Sequence, residues 1–174
     1  MKNNSINKRD KKGFTLIEIL VGIAIIGILA AIGIVAFNGA RAKARIADAQ
    51  ADIRSIVNAI KVLEFDTSEW PNHQPANIVC TNLPNPPGCP ADNEVEDLNT
   101  DAAGIMQTDG TYLNWNGPYL TDMPVDPWGT NYFIDTDYDV NGTDYAVVGS
   151  YGPNTVGKNI YDDDDIIISL LEDL

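Results

Sequence analysis

Residues 14–37 read FTLIEILVGIAIIGILAAIGIVAF, with Glu18 as their single charge. At 1.5 Å per residue, a helix of about 24 residues covers roughly 36 Å, enough to cross the hydrocarbon of a bilayer. Lys2, Lys8, Arg9, Lys11 and Lys12 come first and favour a leader held in the cytoplasm with export of the chain beyond it; Arg41, Lys43 and Arg45 weaken that bias. An ordinary secretory signal has a shorter apolar core and is cut after it, beside small residues. No such exit is evident here. Glu18, near the start of a membrane helix, costs on the order of a few kcal/mol unless a partner offsets it. An amine one helical turn away, or one presented by a neighbouring copy, would serve. Otherwise Glu18 reaches the interface as a stray polar residue of a plain anchor. Gly27 and Ala31, with Ala24 a turn earlier, form a small-residue stripe that allows close helix approach.

Beyond the apolar run, Ile46, Ile53, Ile56, Val57, Ile60 and Leu63 recur at three-, four- and seven-residue steps, while Asp48, Asp52 and Asn58 face elsewhere. The spacing predicts an amphipathic helix over 38–65, continuous with the apolar one. Trp70-Pro71 then stops regular helix, because a proline disfavours the helical conformation of the residue before it.

Charge divides the chain of 174 residues sharply. Residues 1–47 hold eight Lys or Arg against Asp10 and Glu18, or +6; of the 11 basic and 25 acidic residues in all, three and twenty-three remain for 48–174, or -20. That acidic body repels nucleic-acid phosphate and attracts cations, so direct nucleic-acid binding is not expected. The one histidine, His73, lies in a proline-rich loop without a nucleophile motif, and no phosphate-binding glycine loop is present. The reading is therefore not an enzyme.

Residues 72–110 are rich in proline, asparagine and acids and read as a loop-rich variable segment, with a short helix expected within Glu94 to Met106. Cys80 and Cys89 lie inside it. An exported loop in an oxidising compartment favours a bridge between them, two free thiols being the alternative. In Pro124-Val125-Asp126-Pro127-Trp128-Gly129, Pro127 presets a turn, Gly129 permits a positive φ, and Trp128 offers an apolar face to the long helix. Strands are expected at Asn131 to Ile134 and Tyr145 to Ser150. Between them, Asp137, Asp139, Asn141 and Gly142 match the first half of an EF-hand loop, but Val148 stands where the bidentate glutamate belongs. A solvated acidic hairpin loop turned at Asn141-Gly142 is the reading, with a calcium site of another kind as the alternative. The tail from Ile166 to Leu171 reads equally as strand or helix.

Lys11-Lys12-Gly13-Phe14-Thr15-Leu16-Ile17-Glu18 resembles the prepilin-peptidase junction of type IV pilins and type II secretion pseudopilins. In that superfamily a basic leader ends in glycine, phenylalanine comes next, and glutamate is fifth in the mature chain. The resemblance implies cleavage between Gly13 and Phe14, methylation of the Phe14 amine, and pairing of Glu18 with the amine of a neighbouring copy during assembly. The proline common about twenty-two residues into such mature chains is replaced here by Val35. Gly117-Pro118-Tyr119-Leu120, the Pro124 to Gly129 order and Trp70-Pro71 are similar to the major pseudopilins. Gly152-Pro153-Asn154 and the acids before Ile166 resemble their calcium loop, which implies calcium held by Asn154, Asp163, Asp164 and Asp165, with Asn154 in place of an aspartate.

The fold class expected is α+β: a long N-terminal α-helix, transmembrane and then amphipathic, packed on a small antiparallel β-sheet with a loop-rich variable region. Its parts are a cleaved basic leader (1–13), a transmembrane and filament-core helix (14–37), its amphipathic continuation (38–65) and a globular head (66–174). The function implied is that of a structural subunit of an extracytoplasmic filament, of the major pseudopilin type and serving protein secretion. A major type IV pilin is the first alternative, and a monomeric, single-pass calcium- or ligand-binding module the second. Implied partners are further copies in a helical homopolymer, prepilin peptidase, an inner-membrane assembly platform with its ATPase, minor pseudopilins or pilins, and membrane lipid before assembly. The implied location is the cytoplasmic membrane with the head outside, then a periplasmic or cell-surface filament.

Overall fold

The computed structural model describes residues 13–81, 86–90 and 93–171. The leader residues 1–12 lie outside the described residues. The chain forms two compact units, Met1–Ala42 and Lys43–Leu174, and helix α1 (Leu16–Thr67) contributes to both. In the first unit the large apolar side chains of α1 are exposed, Leu16 at 82% and Ile26 at 67% among them. By length and composition α1 is able to cross a membrane. At the end of this apolar run, the Arg41 guanidinium lies 4.5 Å over the Phe37 ring.

In the second unit one face of α1 is covered. Ala49, Ile53, Ile56, Ile60 and Leu63 are fully buried, and Ile46 sits at the margin of that face, 38% exposed. The helix continues past Phe65 to Thr67, where the Thr67 hydroxyl donates to the Leu63 carbonyl (2.8 Å) and Ser68 turns the chain at φ +62°. Strand β1 (Glu69–Trp70) pairs with β2 (Gln74–Pro75) as a short antiparallel ribbon. Trp70 is fully buried and donates its indole N–H to Glu64 Oε2 (2.8 Å), which fastens the ribbon to the last turns of α1.

The main sheet is antiparallel, four-stranded and ordered β3 (Glu94–Val95), β4 (Phe133–Val140), β5 (Thr143–Ser150), β6 (Ile166–Ser169). Both of its faces are packed. Ile134, Ala146 and Val148 join the α1 side chains in the main core. Their neighbours Phe133 and Val147 point the other way, into a second cluster with Tyr138 and Tyr151. This is the period-two alternation of a strand applied to a sheet covered on both sides. Phe133 stacks on Tyr151 with ring centres 4.5 Å apart.

Several expectations are corrected. The β4–β5 hairpin is longer than the two strands read from sequence, since Asp135 to Val140 and Thr143–Asp144 belong to the ladder. What reads as a solvated loop therefore contains two buried acids, Asp135 and Asp137. Only Asn141 and Gly142 form the turn, at φ +55° and +84°. Positive φ at both central positions matches the right-handed twist of the flanking strands, and Asn-Gly tolerates it. No helix forms between Glu94 and Met106: Glu94–Val95 pairs with β4 and the rest turns through Gly104 at φ +72°. The tail resolves as strand, because β6 completes the ladder of β5.

Cys80 and Cys89 are joined in a disulfide with Cα atoms 5.7 Å apart. Cys80 is buried, and its N–H donates to the Thr136 carbonyl on β4 (2.8 Å). Gly129 takes φ +92° in the turn after Pro127, and Trp128 is partly buried against the main core. The residue that organises this turn is Asp126. It is buried and accepts bonds from the Trp128 and Thr130 amides and from the Thr130 and Ser150 hydroxyls, the last 2.5 Å long.

Candidate functional site

Gly13 and Phe14 precede the first helical residue, and Phe14 is 83% exposed. The first turn is closed by a reciprocal cap. Glu18 Oε2 accepts from the Thr15 amide (2.9 Å) and hydroxyl (2.8 Å), while the Glu18 amide donates to Thr15 Oγ1 (3.3 Å). The Thr-x-x-Glu spacing is a capping box, which satisfies donors that the first turn of any helix leaves open. It gives Glu18 a partner within its own chain that the sequence reading did not include, and leaves Glu18 Oε1 for another donor.

The second predicted site is the acidic stretch before β6. Gly152–Asn154 forms a 3-10 turn directly beneath Asp164: a Cβ on Gly152, whose φ is +65°, would lie 2.0 Å from the Asp164 carbonyl oxygen. Glycine is what lets the two segments meet. The Asn154 amide donates to Asp162 Oδ2 (2.8 Å) and its oxygen accepts from the Val156 amide (2.8 Å). Asp162, outside the predicted ligand set, is thus the acid that Asn154 meets. Asp163 and Asp164 are exposed. Asp165 Oδ2 accepts from the Tyr138 hydroxyl (2.6 Å), its Oδ1 is buried without a partner, and burial raises its pKa. Among the described residues no three acidic, histidine or cysteine side chains are spaced to hold a metal ion.

Two further polar clusters escaped the sequence reading. His73 Nδ1 lies 2.5 Å from Glu69 Oε2 and Nε2 lies 3.1 Å from Asp109 Oδ2, with the ring stacked on Tyr112 at 3.9 Å. Burial alone would lower the His73 pKa, but the two carboxylates outweigh it and hold the imidazole above its ordinary value. Hydrogen bonds from Thr111, and then from His73, pull Asp109 down to about 2.

The other cluster lies in β4. The Asp137 amide donates to Asp135 Oδ1 (2.9 Å), leaving Asp135 Oδ2 and Asp137 Oδ1 buried without partners. Burial, reinforced by the neighbouring Asp137, pushes Asp135 up to about 8. Across the ladder, Glu94 accepts from the Tyr151 hydroxyl (2.8 Å) and the Asn159 amide (2.9 Å), and burial raises its pKa as well. Alternating Asp-x-Asp inside a strand is the sequence signal for such a pair, but it reads just as well as a polar loop.

Comparison with known proteins supplies the context. Residues 8–34 match the prokaryotic N-terminal methylation motif, and residues 95–168 match the family described as type II secretion system (T2SS), protein G. The type II secretion system core protein G of Pseudomonas aeruginosa is 31% identical over 124 residues, 71% of this chain and 72% of that one. Its namesake from Aeromonas hydrophila is 28% identical over 71% of each chain. A type IV major pilin protein of Neisseria gonorrhoeae is 35% identical over 68 residues, 39% of this chain and 32% of its own. Among solved structures, the major pseudopilin from the type 2 secretion system of enterohaemorrhagic Escherichia coli is similar at a TM-score of 0.41 and 18% identity, covering 74% of this chain and 86% of that one.

Proposed function

The chain belongs to the type II secretion system core protein G family, and we propose that it is the major structural subunit of a secretion pseudopilus. Cleavage after Gly13 frees the Phe14 amine for methylation, and α1 anchors the chain in the cytoplasmic membrane with the acidic head outside. Assembly then transfers the apolar part of α1 from lipid into a filament of identical copies. In this reading the filament positions Glu18 against the Phe14 amine of a neighbour. A carboxylate deep among apolar side chains needs a charged or hydrogen-bonding partner, which makes the pairing selective for register. Prepilin peptidase, an ATPase-driven membrane platform and minor pseudopilins are the partners this implies. No catalytic step is part of it.

The observation that supports a pseudopilin over a pilin is the relationship through the head. Residues 95–168 carry the protein G match, whereas the gonococcal pilin relationship spans only 39% of the chain. Glu18→Ala tests the assembly role: membrane insertion is expected to be retained and filament assembly lost. Normal filaments from that variant would remove the role. Long surface fibres lost on deletion of the gene, without a secretion defect, would turn the reading to a type IV pilus.

Calcium at the loop before β6 is part of the proposal. Its support is the run Asp162 to Asp165 and the partnerless Oδ1 of Asp165 beside the Gly152–Asn154 turn. Its measurement is a calcium titration of the melting midpoint.

A further inference from the structure

Asp135 is 0% and Asp137 4% exposed, and both stand on β4 where the ladder to β5 slips. Asp135 pairs with Val147 and Tyr138 with Tyr145, so one extra residue bulges from β4 between them. Each acid has one oxygen that finds no donor. The two carboxyl groups are within hydrogen-bonding reach of each other. Buried acids become stable through hydrogen-bond donors, a basic side chain, a metal ion or a proton. The Asp137 amide and the Tyr161 hydroxyl serve Asp135, yet one oxygen of each acid is still without a partner.

The strongest charges acting on Asp135 are those of Asp137 and Glu94, both acidic. The other titratable groups that face the pair are Tyr138 on β4, Asp144 on β5 and Tyr161 before β6; Tyr151 is bound to Glu94, and Lys158 acts on Glu94. A calcium ion takes six to eight oxygens, whereas this pair offers two partnerless ones. A proton requires only two oxygens. Placed between the two carboxyl groups, it supplies a donor where partnerless oxygens lie and removes one of two like charges.

We propose that Asp135 and Asp137 share one proton in the folded head, so that this proton is a structural ligand of the β3–β4–β5 ladder and its loss at alkaline pH loosens the head. Linkage sets the sign. The folded pair keeps a proton that the unfolded chain releases in the ordinary carboxylate range near 4. Stability from the pair is therefore complete below that range, declines as pH rises, and is gone once the folded pair has also lost its proton. The decline amounts to about tenfold in the unfolding equilibrium constant per pH unit.

The test uses the full chain in detergent micelles. Infrared spectroscopy with isotope-labelled aspartate is expected to show a protonated carboxyl at about pH 7 that is missing from Asp135→Asn. Urea unfolding between about pH 5 and 9 is expected to show the wild type losing stability with a slope one proton steeper than Asp135→Asn. His73 is common to both proteins, so its own titration cancels in the difference. Absence of the protonated carboxyl in the wild type, or parallel slopes, would overturn the inference. So would a divalent cation that raises the wild-type midpoint at alkaline pH but not that of Asp135→Asn, since the ligand would then be a metal. Should Asp135→Asn fail to fold, the wild-type spectrum decides alone.

Discussion

Single side chains in this head take their roles from contacts distant in sequence. His73 is the sole histidine of the chain and touches Glu69 and Asp109, one from β1 and the other 36 positions further on. A doubly bonded imidazolium needs both ring nitrogens protonated, so the clamp is complete only when His73 is charged. Its pKa is raised, so its contribution is fully present below about 6.5 and is lost as pH rises through the folded value. We expect the His73 ring to titrate above 6.5 by NMR and the midpoint to fall in Glu69→Gln. A wild-type midpoint at or below 6.5 would refute the clamp. None of this was legible in the sequence, where His73 is an isolated residue in a loop. Asp126 is similar: the turn around Pro127 and Gly129 was readable, but its convergence on a buried carboxylate depends on Ser150, which another strand brings in.

At the level of elements, periodicity carried the reading where it was pure. The buried face of α1 follows the three- and four-residue spacing of Ile53, Ile56, Ile60 and Leu63. It failed for β4 because aspartates at 135, 137 and 139 mimic a polar loop, although cross-strand pairing and a two-residue turn keep them in a strand. Glu94–Val95 escaped for a different reason: two residues are too few for any period, and their pairing partner lies about forty positions away. The close approach of Gly152 to Asp164 was likewise invisible locally. A Cβ there meets backbone, which cannot give way as a flexible side chain would, and it also forces a left-handed φ on an L-residue. Gly152→Ala is expected to cost about 2 kcal/mol or more in urea unfolding. Wild-type stability in that variant would mean that the turn and the acidic loop move apart freely.

For the whole molecule, the dominant number is charge. A net -20 on residues 48–174, against +6 on residues 1–47, means that like-charge repulsion is concentrated in the head. Monovalent salt relieves such repulsion in a graded way that tracks the Debye length. Calcium bound at a site acts differently, saturating at a defined concentration and raising stability by mass action. Millimolar calcium is therefore expected to raise the melting midpoint beyond what monovalent salt of equal ionic strength achieves, with Asp165→Asn abolishing the excess. Equal shifts from both salts would leave only general screening and reject a site.

The fastening of Cys80 to β4 has a consequence for how heads behave when crowded together. Among the described residues, strand β3 covers β4 opposite Ile134 and Asp135, and the next carbonyl along that margin, Thr136, is taken by the Cys80 amide. An uncovered ladder margin is a template on which a foreign chain adds itself as one more strand. The Cys80 amide thus withdraws one more main-chain acceptor on that margin from any neighbouring head, which makes side-by-side fusion there less favourable.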